Sequence, residues 1–378
     1  MKLTIEDIGA QGDGIAREDQ QTLFVPFTLP DENVEAGGEA PHLTLQTVVE
    51  PSAQRIDPIC SHFGICGGCS LQHWAATPYL DWKRQKVVDA FAAEGLEPEI
   101  EPCISTEPST RRRVTFSAQR SDSGLSFGFK RRGTDEIVDV SMCPILLPAI
   151  GSQLETFKQL VKTVLRGREE IQLSATACDN GLDLDFHLPQ DMSEGMVADF
   201  VKAFSKTPFL RASSNGDILV EREKPVVRFG AASVAVPPGA FLQAVESIET
   251  KMGELVCSHL KKRKRVVDLF CGSGTFALRL AERSRVHAVE TEAAPLEALA
   301  GGSGTSGLKP VTAEQRDLYE APLSAKELSR FDGVCLDPPR AGAQEQVREL
   351  AKTNIQSVTY VSCNPVTLAR DAKILTAS

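Results

Sequence analysis

Cys363 stands at the end of an apolar run, Ser357-Val358-Thr359-Tyr360-Val361-Ser362, and is followed by Asn364-Pro365. A cysteine thiolate is a soft, strong nucleophile, and at a strand end it could attack an electrophilic carbon. Two other motifs share this kind of position. Asp337-Pro338-Pro339-Arg340 closes the run Gly333 to Leu336, and Asp268-Leu269-Phe270-Cys271-Gly272-Ser273-Gly274-Thr275-Phe276 closes a run that begins at Arg265. Short β-rich runs (Arg265 to Leu269, Val286 to Glu290, Lys309 to Ala313, Gly333 to Leu336, Ser357 to Ser362) separated by helix-length segments predict a parallel, doubly wound sheet. Ligands of such sheets sit at the carboxyl ends of the strands, so all three motifs are expected on one edge.

The glycine turn defines what that edge could bind. Gly272 and Gly274 let the backbone turn sharply and approach a ligand closely. Glu290 ends the second run, where an acid suits hydrogen bonding to ribose hydroxyls. A dinucleotide fingerprint needs a third glycine, and Phe276 and Ala277 stand there instead. The site therefore looks built for a nucleoside without phosphates, a description that S-adenosylmethionine fits. Asp317, after the third run, could contact the adenine amino group, and Asp337 lies where the reacting groups should meet.

A second chemical cluster is Cys60-x5-Cys66-x2-Cys69, three thiols in one glycine-bearing loop. Sulfur ligands favour zinc or an iron–sulfur cluster, and spacing alone does not separate the two. The fourth ligand could be His62, His73, Cys103 or Cys143. The chain has ten cysteines and its amino terminus lacks a basic segment followed by an apolar stretch, so they read as thiols or ligands in a cytoplasmic protein rather than as a disulfide framework.

At 378 residues, 42% hydrophobic, the chain should hold two or three domains. Residues 1 to about 50 alternate apolar and polar positions like the strands of a small barrel, Tyr79 to Glu94 reads as a helix, and 100 to 235 as mixed strands and helices. Gly301-Gly302-Ser303-Gly304 is expected to interrupt a helix. No run approaches the roughly 20 apolar residues of a membrane span. The net charge of −10 excludes a uniformly basic surface, but local clusters stand out at Lys83/Arg84/Lys86, Arg111 to Arg113, Lys130 to Arg132 and Lys261 to Arg265; each alone reads as a solvated face.

Phe241-Leu242-Gln243, the 268–276 turn, Asp337-Pro338-Pro339-Arg340 and Ser362-Cys363-Asn364-Pro365, continued by Thr367-Leu368-Ala369-Arg370-Asp371, resemble the successive motifs of the RNA uracil-5 methyltransferase family. The resemblance implies an α/β fold: a TRAM-like (OB-like) β-barrel over 1–52, an iron–sulfur loop and central α+β RNA-binding domain over 53–235, and a Rossmann-like class I S-adenosylmethionine methyltransferase domain over 236–378. It implies Cys363 as the nucleophile that adds to uracil C6, and Gln243, Phe270, Gly272, Gly274, Thr275, Glu290, Asp317 and Asp337 around the cofactor; as a catalytic residue Asp337 can hold the base or the cofactor in register. The Met-Cys-Pro context of Cys143 resembles the branch that methylates 23S ribosomal RNA and carries a [4Fe-4S] cluster, here on Cys60, Cys66, Cys69 and Cys143. A monomer is implied. Family members continue into further strands with a His-x-Glu motif, whose glutamate resembles the base that removes the C5 proton, so the sheet is expected to lack its last strands and that base. The competing readings are a transfer-RNA uracil-5 methyltransferase, an RNA cytosine-5 methyltransferase, against which Pro339-Arg340 argues, and a non-catalytic RNA-binding or assembly factor.

Overall fold

The computed structural model describes residues 1–121 and 124–377. Two compact units emerge: Met1–Lys86 with Ile100–Ser105 and Phe116–Pro144, and Val87–Glu99 with Thr106–Thr115 and Ile145–Ser378.

The first unit opens with two three-stranded antiparallel sheets. Lys2–Thr4, Asn33–Gly37 and Thr44–Glu50 form one, and Asp7–Ile8, Gly14–Glu18 and Gln21–Val25 the other. Their alternating apolar residues, among them Leu3, Ile5, Ala16, Leu23, Val25 and Val34, meet in one small core. Glu32 is fully buried beneath them and is matched by Arg55, whose Nε and Nη2 donate to its two carboxylate oxygens at 2.5 and 2.7 Å. The helix expected from Tyr79 begins at Ala76 and runs to Ala93, because Pro78 fits the first helical turn, where its missing N–H breaks no bond.

The second unit begins with a hairpin, Ile171–Cys178 and Gly181–His187, extended by Arg211–Ser214 and Asp217–Glu221. Helices Leu154–Val164 and Glu194–Phe204 bring Phe157, Phe200 and Phe204 into its buried layer with Phe186 and Phe209. The chain then enters a five-stranded parallel sheet: β1 (Arg265–Leu269), β2 (Arg285–Glu290), β3 (Val311–Gln315), β4 (Gly333–Leu336) and β5 (Val358–Tyr360), in the order β3-β2-β1-β4-β5. Winding reverses between β1 and β4, which opens a crevice at their carboxyl ends. Helices α1 (Glu246–Leu260), α2 (Ala277–Ala281) and α3 (Ala293–Ser303) pack on one face, where Val266, Ala288 and Cys335 point. On the other, α4 (Ala325–Leu328), α5 (Gln344–Ala351) and α6 (Pro365–Thr376) cover Val267, Leu269, Val334 and Leu336.

β3 starts at Val311 rather than Lys309 because Pro310 has no N–H to give the ladder; it accepts from Val286 instead. Gly301 to Gly304 do not break α3, which runs through to Ser303. A Cβ on Gly302 would lie 2.7 Å from Val234 Cγ2 and 3.1 Å from Leu278 Cδ1, so this glycine lets the helix sit close to the hairpin strand Ala232–Ala235. Gly301 faces open space. Gly302→Val should therefore lower the unfolding free energy by about 2 to 3 kcal/mol through overpacking. Gly301→Ala should raise it by up to about 1 kcal/mol through helix propensity. Urea unfolding of the two variants checks both signs.

Candidate active site

The turn after β1 is built on positive backbone angles: Phe270 at φ 63°, Gly272 at 52° and Gly274 at 97°. For Phe270 this is a strained conformation. The Gly272 N–H donates to Glu290 Oε2 at 2.9 Å, and the other Glu290 oxygen accepts from the N–H groups of Thr291 and Glu292 at 2.7 and 3.3 Å. One carboxylate thus fastens the end of β2 to the glycine turn. Thr275 follows, half-buried, at the start of the turn into α2. The Phe270 ring lies against Tyr319 at 5.5 Å, and Asp317 Oδ1 accepts the Tyr319 N–H at 2.8 Å. The ends of β1, β2 and β3 are therefore joined through Phe270, Gly272, Glu290 and Asp317.

Gln243 enters from the loop before α1. Its carbonyl accepts from Arg112 Nε at 3.1 Å, and the Arg112 N–H donates to Ala244 at 2.8 Å. Arg112 is held by Glu249 on α1 at 2.7 Å, with Arg279 3.6 Å from the other oxygen of that buried carboxylate. Beside it, Phe241 is 68% exposed, with the Arg113 guanidinium 5.1 Å from its ring centre.

Asp337 follows β4, its N–H donating to Leu269 of β1 at 3.2 Å. Burial pushes its carboxyl up to about 7. Asp268, opposite Cys335 in register, is fully buried; both its oxygens lack a hydrogen-bonded partner, and the Cys335 thiol and Ala277 N–H approach without closing a good bond. Burial first, then the neighbouring Asp337 charge, push it up to about 8.

Cys363 is exposed just ahead of α6. Asn364 caps that helix through the Val366 N–H at 3.1 Å, and Pro365 supplies its first turn. Four bonds tie this segment to the loop after β4: Asn364 Nδ2 and Thr367 Oγ1 donate to the Arg340 carbonyl at 3.2 Å each, Arg370 Nη2 donates to Ala341 at 3.0 Å, and the Ala343 N–H donates to Asp371 Oδ2 at 2.8 Å. Asp371 is fully buried and also accepts from the Tyr360 hydroxyl at 2.6 Å and Arg370 Nε at 2.8 Å. The sequence motif contains Asp268 and Asp371 but does not reveal their roles. Arg112 and Glu249 lie 137 residues apart, and no local pattern signals that pairing.

The cysteine loop lies in the first unit with Cys143. Cys60, Cys66, Cys69 and Cys143 are half-buried and not joined in disulfides. Burial, then the nearby Cys69 and Cys60, push the Cys66 thiol up, against a 3.4 Å bond from the Gly68 N–H. Phe63 packs 5.2 Å from both Phe27 and His73, and His73 is buried, its ring pushed down to about 4 by burial. Among the described residues no group of three or more His, Cys, Asp or Glu is gathered closely enough to hold a metal ion, so the four thiols are not assembled as a ligand set here. Among them, too, no helix is long and apolar enough to cross a membrane.

Residues 1–36 match the TRAM domain family, and residues 315–378 match the tRNA (uracil-5-)-methyltransferase family. An uncharacterised RNA methyltransferase of Mesorhizobium japonicum is 46% identical over 378 residues, covering 99% of this chain and 90% of the relative. A 23S rRNA (uracil(1939)-C(5))-methyltransferase of Aeromonas hydrophila is 31% identical, covering 99% and 89%. The chain belongs to the RNA uracil-5-methyltransferase family. The fold is shared with a Pyrococcus abyssi tRNA (uracil-54, C5)-methyltransferase solved with S-adenosyl-L-homocysteine, at 22% identity and TM-score 0.78 over 99% of this chain and 93% of that one. This is an S-adenosylmethionine-dependent RNA methyltransferase with an amino-terminal TRAM domain.

The two raised acids give the methyltransferase a pH signature. Their folded-state values lie above those of the unfolded chain, so the native state holds more protons between about pH 4 and pH 8, and stability falls as pH rises through that window. The urea midpoint of the ligand-free enzyme should drop between about pH 6 and pH 8. Asp268→Asn, which stays neutral, should flatten that drop; an unchanged slope in the variant would remove Asp268 as its source.

Proposed function

We propose that this enzyme methylates C5 of a uridine in 23S ribosomal RNA through a covalent bond between Cys363 and C6 of the base. The observation that carries this reading is the hydrogen-bonded joining of the exposed Cys363 segment to the Asp337–Gly342 loop, on the edge that also bears the glycine turn. The 31% identical 23S rRNA methyltransferase supports the choice of RNA.

The edge suits S-adenosylmethionine. Gly272 and Gly274 leave the turn without side chains, Glu290 and Asp317 stand at adjacent strand ends, and Phe270 offers a ring face. Gln243, Thr275 and Asp337 complete the proposed cofactor set. When bound, the cofactor supplies an electrophilic methyl group on a cationic sulfur. Uracil C5 is too weak a nucleophile to take that methyl unaided. Addition of the Cys363 thiolate at C6 turns C5 into an enolate carbon, and loss of the C5 proton after methylation lets the thiolate leave with its electron pair. Asp337, half-buried just after β4, would hold the base or the cofactor in register for this step. The base must leave its stack to reach the thiol, and Phe241 beside Arg113 is an exposed surface for it.

We also infer a [4Fe-4S] cluster on Cys60, Cys66, Cys69 and Cys143, with a structural or RNA-positioning role and no part in methyl transfer. Its support is the sequence spacing and the nearness of Cys69 and Cys60 to Cys66, which helps push the Cys66 thiol up. The ligand positions are not drawn together in this structure, so binding would close the loop around the metal. Anaerobically purified protein should contain about four irons and matching sulfide per chain; zinc without iron would overturn the assignment.

Methyl transfer from labelled cofactor to unmodified ribosomal and transfer RNA transcripts, with nucleoside analysis, tests base, carbon and RNA class together. Cys363→Ala should reduce incorporation to below about one thousandth while RNA binding persists. Activity surviving in that variant would exclude the covalent route, and label in 5-methylcytidine would replace uridine as the target.

A further inference from the structure

The run Lys261-Lys262-Arg263-Lys264-Arg265 plays no part in the chemistry described so far. It leads from the end of α1 into the start of β1, at the amino-terminal edge of the sheet. Parallel register sets Arg265 beside Arg285 of β2, and the Arg285 N–H donates to the Lys264 carbonyl at 2.9 Å. Ser284 Oγ donates to the Arg263 carbonyl at 2.7 Å, which places Arg283 in the same patch. A cleft lined by Lys261, Arg279 and Arg283, with Glu254 and Glu282 among them, lies on the flank. Five consecutive cations are thus folded back against two more.

Lys261, Lys262, Lys264, Arg265, Arg283 and Arg285 are all exposed. Among the described residues none of these six side chains forms an ion pair with an acidic side chain. The acids nearby are engaged elsewhere. The Asp332 carboxylate accepts the backbone N–H groups of Lys264 and Arg265 at 3.0 and 2.9 Å, Glu282 accepts the Ala231 N–H at 3.0 Å, and Glu254 pairs with Lys251 at 3.1 Å. In a chain whose net charge is −10, this edge concentrates positive charge, of which Asp332 and Glu282 offset only a part. Exposed cations crowded on adjacent strand starts repel one another, and a polyanion that neutralises several at once releases its own counterions. The opposite edge of the same sheet presents Asp337, Glu290 and Asp317, so the two ends differ sharply in sign.

We propose that the amino-terminal edge of the sheet is a second RNA-binding surface, which grips the phosphate backbone of an arm of the substrate RNA distant from the modified uridine. With about 3.3 Å per strand residue, the patch lies roughly 15 Å from the strand ends that carry the glycine turn. It contributes affinity and register through phosphates, and takes no part in reading the base. The inference rests on the RNA methyltransferase reading above.

The test compares the full-length enzyme with a triple variant, Lys261→Gln, Lys262→Gln and Lys264→Gln, and with a control that removes equal charge elsewhere, Lys202→Gln, Lys206→Gln and Lys224→Gln. The probe is unmodified, in vitro transcribed 23S ribosomal RNA, measured by filter binding across a salt series and by methyl transfer. The patch variant should show a slope of log K against log salt shallower by about 2 to 3, a raised KM for RNA and an unchanged kcat, while the control keeps the wild-type slope. An unchanged slope in the patch variant overturns the RNA assignment and leaves the edge to an acidic protein surface. Equal losses in the two variants also overturn it, by showing only a general effect of charge. If the wild-type enzyme ignores the ribosomal transcript but methylates transfer RNA, the ribosomal reading fails, and the same comparison on the transfer-RNA transcript decides the inference.

Discussion

The carboxylate of Asp371 carries no solvent exposure, yet it is matched on both oxygens by the Tyr360 hydroxyl, the Ala343 N–H and Arg370. A buried charge is tolerated only with such partners, and removing it would leave an arginine, a phenol and a peptide N–H uncompensated, a loss of about 3 to 5 kcal/mol. Burial and this carboxylate also hold the Tyr360 hydroxyl far above its usual titration range. The consequence is mechanical. The loop after β4, with Asp337 at its start, and the helix behind Cys363 behave as one piece, because their shared acceptor sits in the core rather than in solvent. The proposed nucleophile, Cys363 on its exposed turn, would need this support to meet a carbon within a few tenths of an ångström.

Asp268 shows the opposite choice. It occupies the same sheet, in an apolar layer with Cys335 and Cys271, and nothing satisfies its oxygens. An acid that stays protonated to about 8 costs little as a neutral group and much as an anion. The cofactor of this family carries a positive sulfur, and an ionisable carboxyl beneath the glycine turn can shift toward its charged form when a cation arrives above it. One buried acid is matched on both oxygens and the other is not, and the difference lies in their hydrogen-bond partners.

The sequence makes these strand ends legible because each motif is local: glycines for a turn, an acid at a strand terminus, and Asn-Pro to start a helix after a cysteine. The limits of β1 and β4 match their apolar runs, while β3 begins two residues late for want of an N–H on Pro310. The glycines near 301 read as a break, but one of them is a packing contact with Val234, which only the fold reveals. Invisible too were Arg112 and Glu249, a buried pair from distant segments that fixes the Gln243 loop, and the shared use of Asp371 by two motifs read separately. The cysteine spacing reads as metal chemistry in the sequence, but among the described residues no such ligand group is gathered.

Charge is distributed along the sheet axis in a way that bears on how RNA is handled. Glu290 and Asp317 stand at the carboxyl edge with Asp337, whose carboxyl is pushed up to about 7, a field that favours a cation over phosphate. RNA suits that edge best by sending in an uncharged base while its backbone stays outside. Extrusion of the base is then favoured by electrostatics as well as by reach, since a stacked duplex would bring its phosphates toward Glu290 and Asp317. The cost of unstacking a base, a few kcal/mol, must be met by contacts away from the pocket. A TRAM domain and a basic opposite edge are the surfaces of this chain whose chemistry suits that purpose. On this view affinity and chemistry are separated in space because the methyl donor and the RNA backbone demand fields of opposite sign.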